Sequence, residues 1–185
     1  MGRLVYSAIT SLDGYVADRD GRFDWSVPDE DVHTAVNELM RPVGTHLYGR
    51  RMYEVLVAWE TWDVGSEPAA IQEYAALWRG ADKVVYSRTL SEPASRRTRI
   101  EREFDPATVQ HLATSSDADL LVGGPELAGQ ALHAGLVDDV HLFVSPVVVG
   151  GGTAALPDDL RVDLDLGGAR RFDNGVVHLH YRVRR

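Results

Sequence analysis

The sequence predicts an α/β fold with a mostly parallel sheet and an antiparallel edge. Apolar, strand-like runs alternate with helix-like segments along most of the chain, an order typical of parallel strands joined by helices. Two of these runs turn directly from glycine into a helix, within residues 46–54 and 118–128. Residues 162–183 indicate a closing β-hairpin that turns at Asn174-Gly175, a strong type I′ turn signal.

The individual elements follow from apolar spacing and from turn residues. For example, Val32, Val36 and Leu39 keep a helical spacing that ends before Pro42 and Gly44. The predicted strands are 4–10, 45–48, 83–87, 98–103 at an edge, 120–122 and 140–149, the last broken by Pro146. The predicted helices are 29–40, one from about 50, 68–78, 106–115 and 125–134, with loops at 11–28 and 59–67 and a flexible turn at 150–152.

Length and composition predict one domain over residues 1–185. The chain is 44% hydrophobic and 25% charged, as expected of a globular protein with an ample core. No apolar stretch approaches the roughly 20 residues that span a bilayer, so no membrane association is expected. Residues 1–5 lead straight into a strand without the long apolar region of a signal peptide, and we expect a cytoplasmic protein.

Charge and cysteine content exclude several classes of function. The net charge of −9 argues against a nucleic-acid partner, although a few local arginines could still bind a small phosphorylated ligand. The absence of cysteine excludes disulfides, cysteine nucleophiles, thiolate zinc sites and iron–sulfur clusters. Lys83, the only lysine, opens a strand, so any Schiff-base chemistry would depend on that one residue.

The two glycine-to-helix junctions predict a nucleotide site. At Gly123-Gly124 bare backbone meets a helix N-terminus, whose first turn contains Glu126 and Leu127. The unpaired amides and the positive end of the helix dipole favour a phosphate there. The junction at Gly49 has the same form and adds the guanidinium groups of Arg50 and Arg51.

Five motifs follow one another along the chain, namely Ser11–Ala17, Tyr48–Glu54, Val85–Leu90, Val122–Gly124 and Ser145–Gly152. Taken together and in this order, they resemble the dihydrofolate reductase superfamily, and within it the reductase domain of bacterial riboflavin biosynthesis. The resemblance implies a three-layer fold with eight strands and helices on both faces. It also implies NADPH as hydride donor and, often, a homodimer.

The resemblance also assigns residues to the adenine and phosphate end of the cofactor. The helix after Gly49 would hold the pyrophosphate and Arg50 the ribose 2′-phosphate, a bidentate contact favouring NADPH over NADH. Ser87 and Arg88 would contact the adenine side, and Gly123-Gly124 would carry a cis peptide beside the pyrophosphate. The family frequently has threonine at the position of Met52. The alternatives are a solvated arginine pair, an ordinary strand end and a tight turn.

A second group of residues is implied at the nicotinamide and substrate. Leu12, Asp13 and Gly14 begin a loop that would close over the nicotinamide, or would form a plain β-turn. The backbone of Ala8 and Ile9 would line the same pocket. We expect Asp13 and Glu30 to be catalytic.

For Glu30, the spacing from Trp25 and Pro28 matches the acid that binds the pterin ring in dihydrofolate reductases. A partly buried carboxylate with a raised pKa could assist protonation there. The alternative is helix capping, because acidic residues stabilise a first turn without any other role.

Aromatic and histidine residues offer further candidates. Trp59 and Trp62 could stack on a flat heterocyclic substrate, or could belong to the core or to a dimer interface. His178 and His180 face the same side of a strand, but no third ligand lies near them in sequence. We therefore predict that the protein has no metal site.

Two functions follow from this pattern. The first is an NADPH-dependent reductase acting on a small heterocycle, either the aminopyrimidine of riboflavin synthesis or dihydrofolate. The second is a nucleotide-binding protein of the same fold with little or no turnover, which Met52 and the uncertain acid at Glu30 leave open.

Overall fold

The computed structural model describes residues 1–184, and its centre is an eight-stranded sheet. The strands are β1 (Leu4–Thr10), β2 (Tyr15–Asp18), β3 (Val43–Gly49), β4 (Asp82–Tyr86), β5 (Thr98–Glu101), β6 (Asp119–Gly123), β7 (Asp139–Val144), β8 (Gly152–Ala154), β9 (Leu164–Arg171) and β10 (Val177–Val183). The helices are α1 (Glu30–Met40), α2 (Arg50–Leu56), α3 (Ala58–Thr61), α4 (Ala69–Gly80), α5 (Pro106–Ser115) and α6 (Pro125–His133), and a 3₁₀ turn covers Asp24–Ser26.

The strand order in the large sheet is β5-β4-β3-β6-β1-β7-β10-β9. The first six strands in this order are parallel to one another. The last two strands, β10 and β9, form the antiparallel C-terminal hairpin, whose turn has Gly175 at φ of +90°. The predicted fold class is therefore confirmed, including the antiparallel edge. The hairpin is as predicted, but the predicted type I′ turn is wrong, because Asn174 does not have the positive φ that this turn requires.

Helices pack on both faces of the sheet because successive strand residues point to opposite sides. On one face, Leu120 and Val122 belong to a cluster with α5 and α6, through residues such as Val109 and Leu127. On the other face, Leu121 belongs to a cluster with α1 and α4. Sheet and helices therefore form three layers.

The structure departs from the prediction mainly in two segments predicted as loops. The 11–28 segment contains β2, which pairs with β8 in a separate antiparallel sheet. The 59–67 segment begins inside α3, and the predicted strand 140–149 ends at Val144. The strands β2 and β8 are short and lie far apart in sequence. Local sequence patterns therefore do not predict that they pair. Within residues 1–184, no helix is both long enough and apolar enough to cross a membrane.

Candidate functional site

The topology places a crevice at the carboxyl ends of β3 and β6, which are neighbours in the sheet. The chain leaves β3 towards α4 on one face, and leaves β6 towards α6 on the other. Ligands of open α/β sheets bind in the crevice at such a switch point. We call the carboxyl ends of β1, β3, β4 and β6 the glycine crevice.

The register brings the predicted cofactor residues to this edge. Tyr48 pairs with Gly123, and Gly49 pairs with Tyr86, immediately before Ser87. The last pair between β1 and β6 is Tyr6 with Val122, whereas β1 continues to Thr10 beside β7. At residues 8–10, β1 therefore has a free edge on the side away from β7. This edge borders the crevice.

Close packing explains two of the glycines at the crevice. A Cβ atom on Gly123 would lie 2.7 Å from Cε1 of Tyr48, which leaves no room for a side chain. Gly124 has φ of +89° and would place a Cβ atom 3.3 Å from that of Met52. The described peptide bonds include no cis bond, so the expected cis peptide at Gly123-Gly124 is wrong.

The space beside Gly49 is open. A Cβ atom there would have no neighbouring heavy atom within 4 Å, and its φ of −72° is accessible to any residue. The junction at Gly49 therefore contains open space that no neighbouring side chain fills. Gly49 is the N-cap of α2, and its bare backbone leaves open space in which a ligand could approach the helix.

The first turn of α6 presents unpaired backbone donors. The helix begins after Gly124, which provides no side-chain cap, and Pro125 occupies its first position. The amide of Ala128 makes the first helical bond, to the carbonyl of Gly124. Among the residues that the structure describes, the amides of Glu126 and Leu127 have no acceptor. Both donors are suited to an anion.

Three arginines surround the crevice in different states. Arg50 donates from Nε to Oε1 of Glu54 (2.6 Å) and from Nη1 to the Thr89 hydroxyl (2.7 Å), so its guanidinium is already engaged. Arg51 and Arg88 are exposed, and over residues 1–184 their guanidinium groups have no hydrogen bond or ion pair. These two are therefore the cations most available to a phosphate.

Ser87 organises the turn that carries Arg88. Its hydroxyl accepts a hydrogen bond from the amide of Leu90 (3.0 Å), and its carbonyl accepts one from Nη1 of Arg102 (2.9 Å). The side chain is buried, so it shapes the turn rather than facing solvent. The Ser-Arg pair is thus a structured strand end with one exposed cation.

Asp13 joins the loop after β1 to the glycine turn after β7. Its carboxylate accepts hydrogen bonds from the amides of Gly150 (2.8 Å) and Val149 (3.2 Å). A hydrogen bond from the Ser11 side chain, assisted by these two amides, lowers the pKa of Asp13. The amide of Leu12 also donates to the carbonyl of Val147 (2.7 Å), so the two loops are fastened at both residues.

Glu30 lies at the first position of α1 and is exposed. The cap is supplied instead by Asp29, whose Oδ1 accepts a hydrogen bond from the amide of Val32 (2.9 Å). Glu30 is therefore not the partly buried carboxylate that the catalytic interpretation required. The helix begins at the surface because its N-terminal turn is acidic, and its apolar face is buried from Val32 onward.

Trp59 and Trp62 pack in an aromatic cluster against α1 and α4. Their ring centroids are 4.9 Å apart, and Trp59 lies 4.8 Å from Tyr74 and 6.3 Å from His33. Arg79 donates to the carbonyls of both tryptophans. None of these ring contacts, among the described residues, involves a residue of the glycine crevice.

A groove of about 720 Å³ runs along α6 from its first turn. Its walls are largely apolar, and its polar members include Glu126, Gln130, Thr153 and Asp158. The remaining lining residues include Phe104, Pro106, Pro125, Gly129, His133, Leu156 and Pro157. Because the groove begins at Pro125 and Glu126, it extends the glycine crevice along the outer side of α6.

The structure also assembles a cluster that the sequence reasoning missed. Asp139 and His141 of β7 lie beside His180 of β10, within reach of a common ion. The available signal was an Asp-x-His pattern followed by a His-x-His pattern on the closing hairpin. These two patterns indicate a common site only because β7 and β10 pair with each other.

An eight-stranded, mostly parallel α/β sheet with a glycine-rich crevice at its switch point defines the fold class of this protein. The chain belongs to the RibD C-terminal domain family, whose model matches residues 3–178. The resemblance inferred from the motifs is thereby confirmed. The family membership also identifies the fold as that of RibD-like reductase domains.

Two individual relatives align with nearly the whole chain. The uncharacterized protein YyaP of Bacillus subtilis (strain 168) is 29% identical over 182 residues, covering 97% of this chain and 94% of YyaP. A crystal structure from Shewanella sp. PV-4, described as a riboflavin biosynthesis protein, has a TM-score of 0.78 at 20% identity and covers 99% of both chains.

A longer structural relative comes from Thermotoga maritima. Its deaminase/5-amino-6-(5-phosphoribosylamino)uracil reductase has a TM-score of 0.69 at 15% identity, over 99% of this chain and 57% of that one. At these identities the two solved structures support the fold alone.

Proposed function

We propose that this protein is an NADPH-dependent reductase that transfers a hydride to a small heterocycle. The single observation that carries the proposal is the glycine crevice, where the free amides of Glu126 and Leu127 face the same switch point as Gly49. Membership of the RibD C-terminal domain family supports the same reaction class. Bound NADPH would supply the hydride from its nicotinamide ring.

The crevice fits the charged end of such a cofactor. In this proposal the first turn of α6 binds the pyrophosphate through backbone donors, and the bare backbone at Gly49 allows its approach. Arg51 and Arg88 bind the 2′-phosphate, since both guanidinium groups are free over the described residues. Arg50 takes part by exchanging its bond to Glu54 for a phosphate oxygen.

At the other end, the chain positions the reacting groups and excludes water. The backbone at Ala8 and Ile9 borders the crevice, and the loop from Leu12 to Gly14 closes over it. Asp13 holds that loop against Val149 and Gly150, and its lowered pKa makes it an acceptor rather than a proton donor near neutral pH. We therefore assign Asp13 a positioning role.

The proton that completes the reduction then comes from water or from Glu30. Glu30 is exposed at the first position of α1, and the capping interaction of Asp29 leaves its carboxylate free. Unchanged turnover across pH in a Glu30→Gln variant would exclude Glu30 and leave water as the donor.

An aminopyrimidine related to riboflavin synthesis is the first proposed substrate, and dihydrofolate is the second. The reductase named in the Thermotoga maritima protein acts on 5-amino-6-(5-phosphoribosylamino)uracil, and it shares this fold. Trp59 and Trp62 remain candidates for stacking on the heterocycle, through the exposed indole of Trp62.

The test measures binding of NADPH and NADH through quenching of the four tryptophans. We expect clear preference for NADPH, and a loss of about tenfold to a hundredfold of that preference in Arg51→Ala or Arg88→Ala, because hydrogen bonds to charged groups contribute about 1.5–3 kcal/mol. Arg97→Ala is the matched control. Arg97 pairs with Asp82 at the opposite, amino end of β4.

The outcomes separate the two functions considered. An unchanged preference in Arg50, Arg51 and Arg88 variants would refute the 2′-phosphate assignment, and failure to bind either nucleotide would refute the reductase proposal. Tight NADPH binding without turnover of any pteridine or aminopyrimidine would favour the nucleotide-binding alternative, for which the position of Met52 beside Gly124 in the crevice is the structural argument.

A further inference from the structure

We propose that Asp139, His141 and His180 form a binding site for a divalent transition-metal ion. Each residue offers one ligand atom, and these atoms all lie within 4.8 Å of one another. The site is independent of the glycine crevice, because Asp139 begins β7 whereas the crevice lies at the carboxyl ends of the parallel strands. The two sites therefore differ in the molecule they would bind, a metal ion rather than a nucleotide, and in their location.

The strand register is what brings the three side chains together. Asp139 and His141 are two residues apart on β7 and therefore point to the same face of the sheet. In the antiparallel pair, His180 lies directly opposite His141, and their rings stack with centroids 4.1 Å apart. The same face is covered further along by α1, through Phe143.

Neighbouring groups already orient two of the ligands. His141 uses Nδ1 in a hydrogen bond with Nε2 of His178 (2.9 Å), which leaves Nε2 of His141 for an ion. Arg3 pairs with Oδ2 of Asp139, which leaves Oδ1 facing His180. Hydrogen bonds of this kind to the far side of a ligand fix its orientation in metal sites.

The ion replaces a hydrogen bond between two of its ligands. Nε2 of His180 lies 2.6 Å from Oδ1 of Asp139. In the ion-bound form His180 carries its proton on Nδ1, the proton on Nε2 having passed to Nδ1 or to solvent, and both freed lone pairs face the ion. Gly167 leaves space around Nδ1. The ring of His180 must also turn out of its stack on His141, so that both nitrogens point at one ion.

The donor set defines the class of ion. Two imidazoles and one carboxylate, with a fourth position for water, suit zinc, cobalt or nickel rather than calcium or magnesium. The His180 side chain is 22% exposed, so an ion can enter from solvent, whereas Asp139 is buried. Because the ligands come from β7 and β10, a bound ion would fasten the C-terminal hairpin to the parallel sheet.

The experiment is a calorimetric titration of the full chain, without a histidine tag, with zinc chloride, supported by the visible spectrum of the cobalt-loaded protein. We expect one ion per chain. His141→Ala and His180→Ala should abolish this saturable binding, and His178→Ala should weaken it by about tenfold to a hundredfold, as loss of an orienting partner does. His111→Ala, which removes an exposed histidine of α5, is the matched control.

Each result bears on the proposal. No saturable binding to the wild-type chain, or binding that persists in the variant lacking both His141 and His180, would overturn it. Circular dichroism establishes that each variant is folded. If an alanine variant is unfolded, His180→Gln replaces it, since glutamine keeps a polar side chain beside Asp139 and removes the imidazole ligand.

Discussion

At the residue scale, the glycines of the crevice have different physical reasons for being glycine. Gly124 has a positive φ, and Gly123 faces the ring of Tyr48 at a distance no side chain could occupy. Gly49 has neither constraint. The sequence pattern made all three equivalent, because a glycine signal does not reveal whether bare backbone is required by packing, by conformation or by a ligand.

This difference predicts opposite effects for two alanine variants. Gly124→Ala should lower the free energy of unfolding by about 1–3 kcal/mol, the cost of placing a side chain in such a backbone conformation. Gly49→Ala replaces only the N-cap glycine of α2, so it should lower the free energy of unfolding by less than about 1 kcal/mol and should weaken NADPH binding. Urea denaturation measures the first effect and tryptophan quenching the second. Equal destabilisation by both variants would contradict this account of the crevice.

At the element scale, the start of α1 shows which acidic residue stabilises the helix. Asp29 caps it through the amide of Val32, and Glu30 is an exposed first-turn residue beside it. The sequence indicated an acidic helix start, but not which carboxylate would turn back to the backbone. That choice depends on the extended conformation of Asp29, with ψ near 180°.

Asp29 and Glu30 should therefore contribute differently to the free energy of unfolding. Asp29→Ala should lower the free energy of unfolding by about 1 kcal/mol, as loss of an N-cap commonly does. Glu30→Ala should change it by less than about half that amount, since exposed first-turn charges contribute little. Chemical denaturation of both variants checks this. A larger loss in Glu30→Ala would show that Glu30 has a contact absent from this structure.

At the scale of the whole molecule, the sheet buries ionisable groups that make stability depend on pH. His46 of β3 is buried and stacks on Tyr48 with centroids 5.4 Å apart. Burial, assisted by the nearby charge of Lys83, lowers the pKa of His46 to about 3 from its ordinary 6.5. The unfolded chain thus takes up a proton at this residue well before the folded one does.

We therefore expect stability to fall in acid partly because of His46. Its contribution is complete above pH 6.5 and is lost progressively as the pH falls from 6.5 towards 3. In that interval, His46→Gln should reduce the slope of unfolding free energy against pH by up to about 1.4 kcal/mol per unit. Denaturant titrations at several pH values measure the slope, and exposed His111→Gln, which should leave it unchanged, is the control.

The sequence by itself determined most elements and the class of fold. The turn at Asn174-Gly175, the helix over 106–115 and the glycine-to-helix junctions at Gly49 and Gly124 all depend on neighbouring residues, so local patterns sufficed to predict them. They also located the candidate nucleotide site, because parallel strands place their carboxyl ends at one edge. The family resemblance came from the same local motifs in their order.

Only the tertiary structure decided which distant groups meet. The pairing of β2 with β8, the fastening of Asp13 to Gly150, and the engagement of Arg50 by Thr89 each join residues far apart in sequence. The cluster of Asp139, His141 and His180 likewise depends on the register between β7 and β10. A shift of one residue would turn those side chains to the other face, and that register is set by packing across the whole sheet.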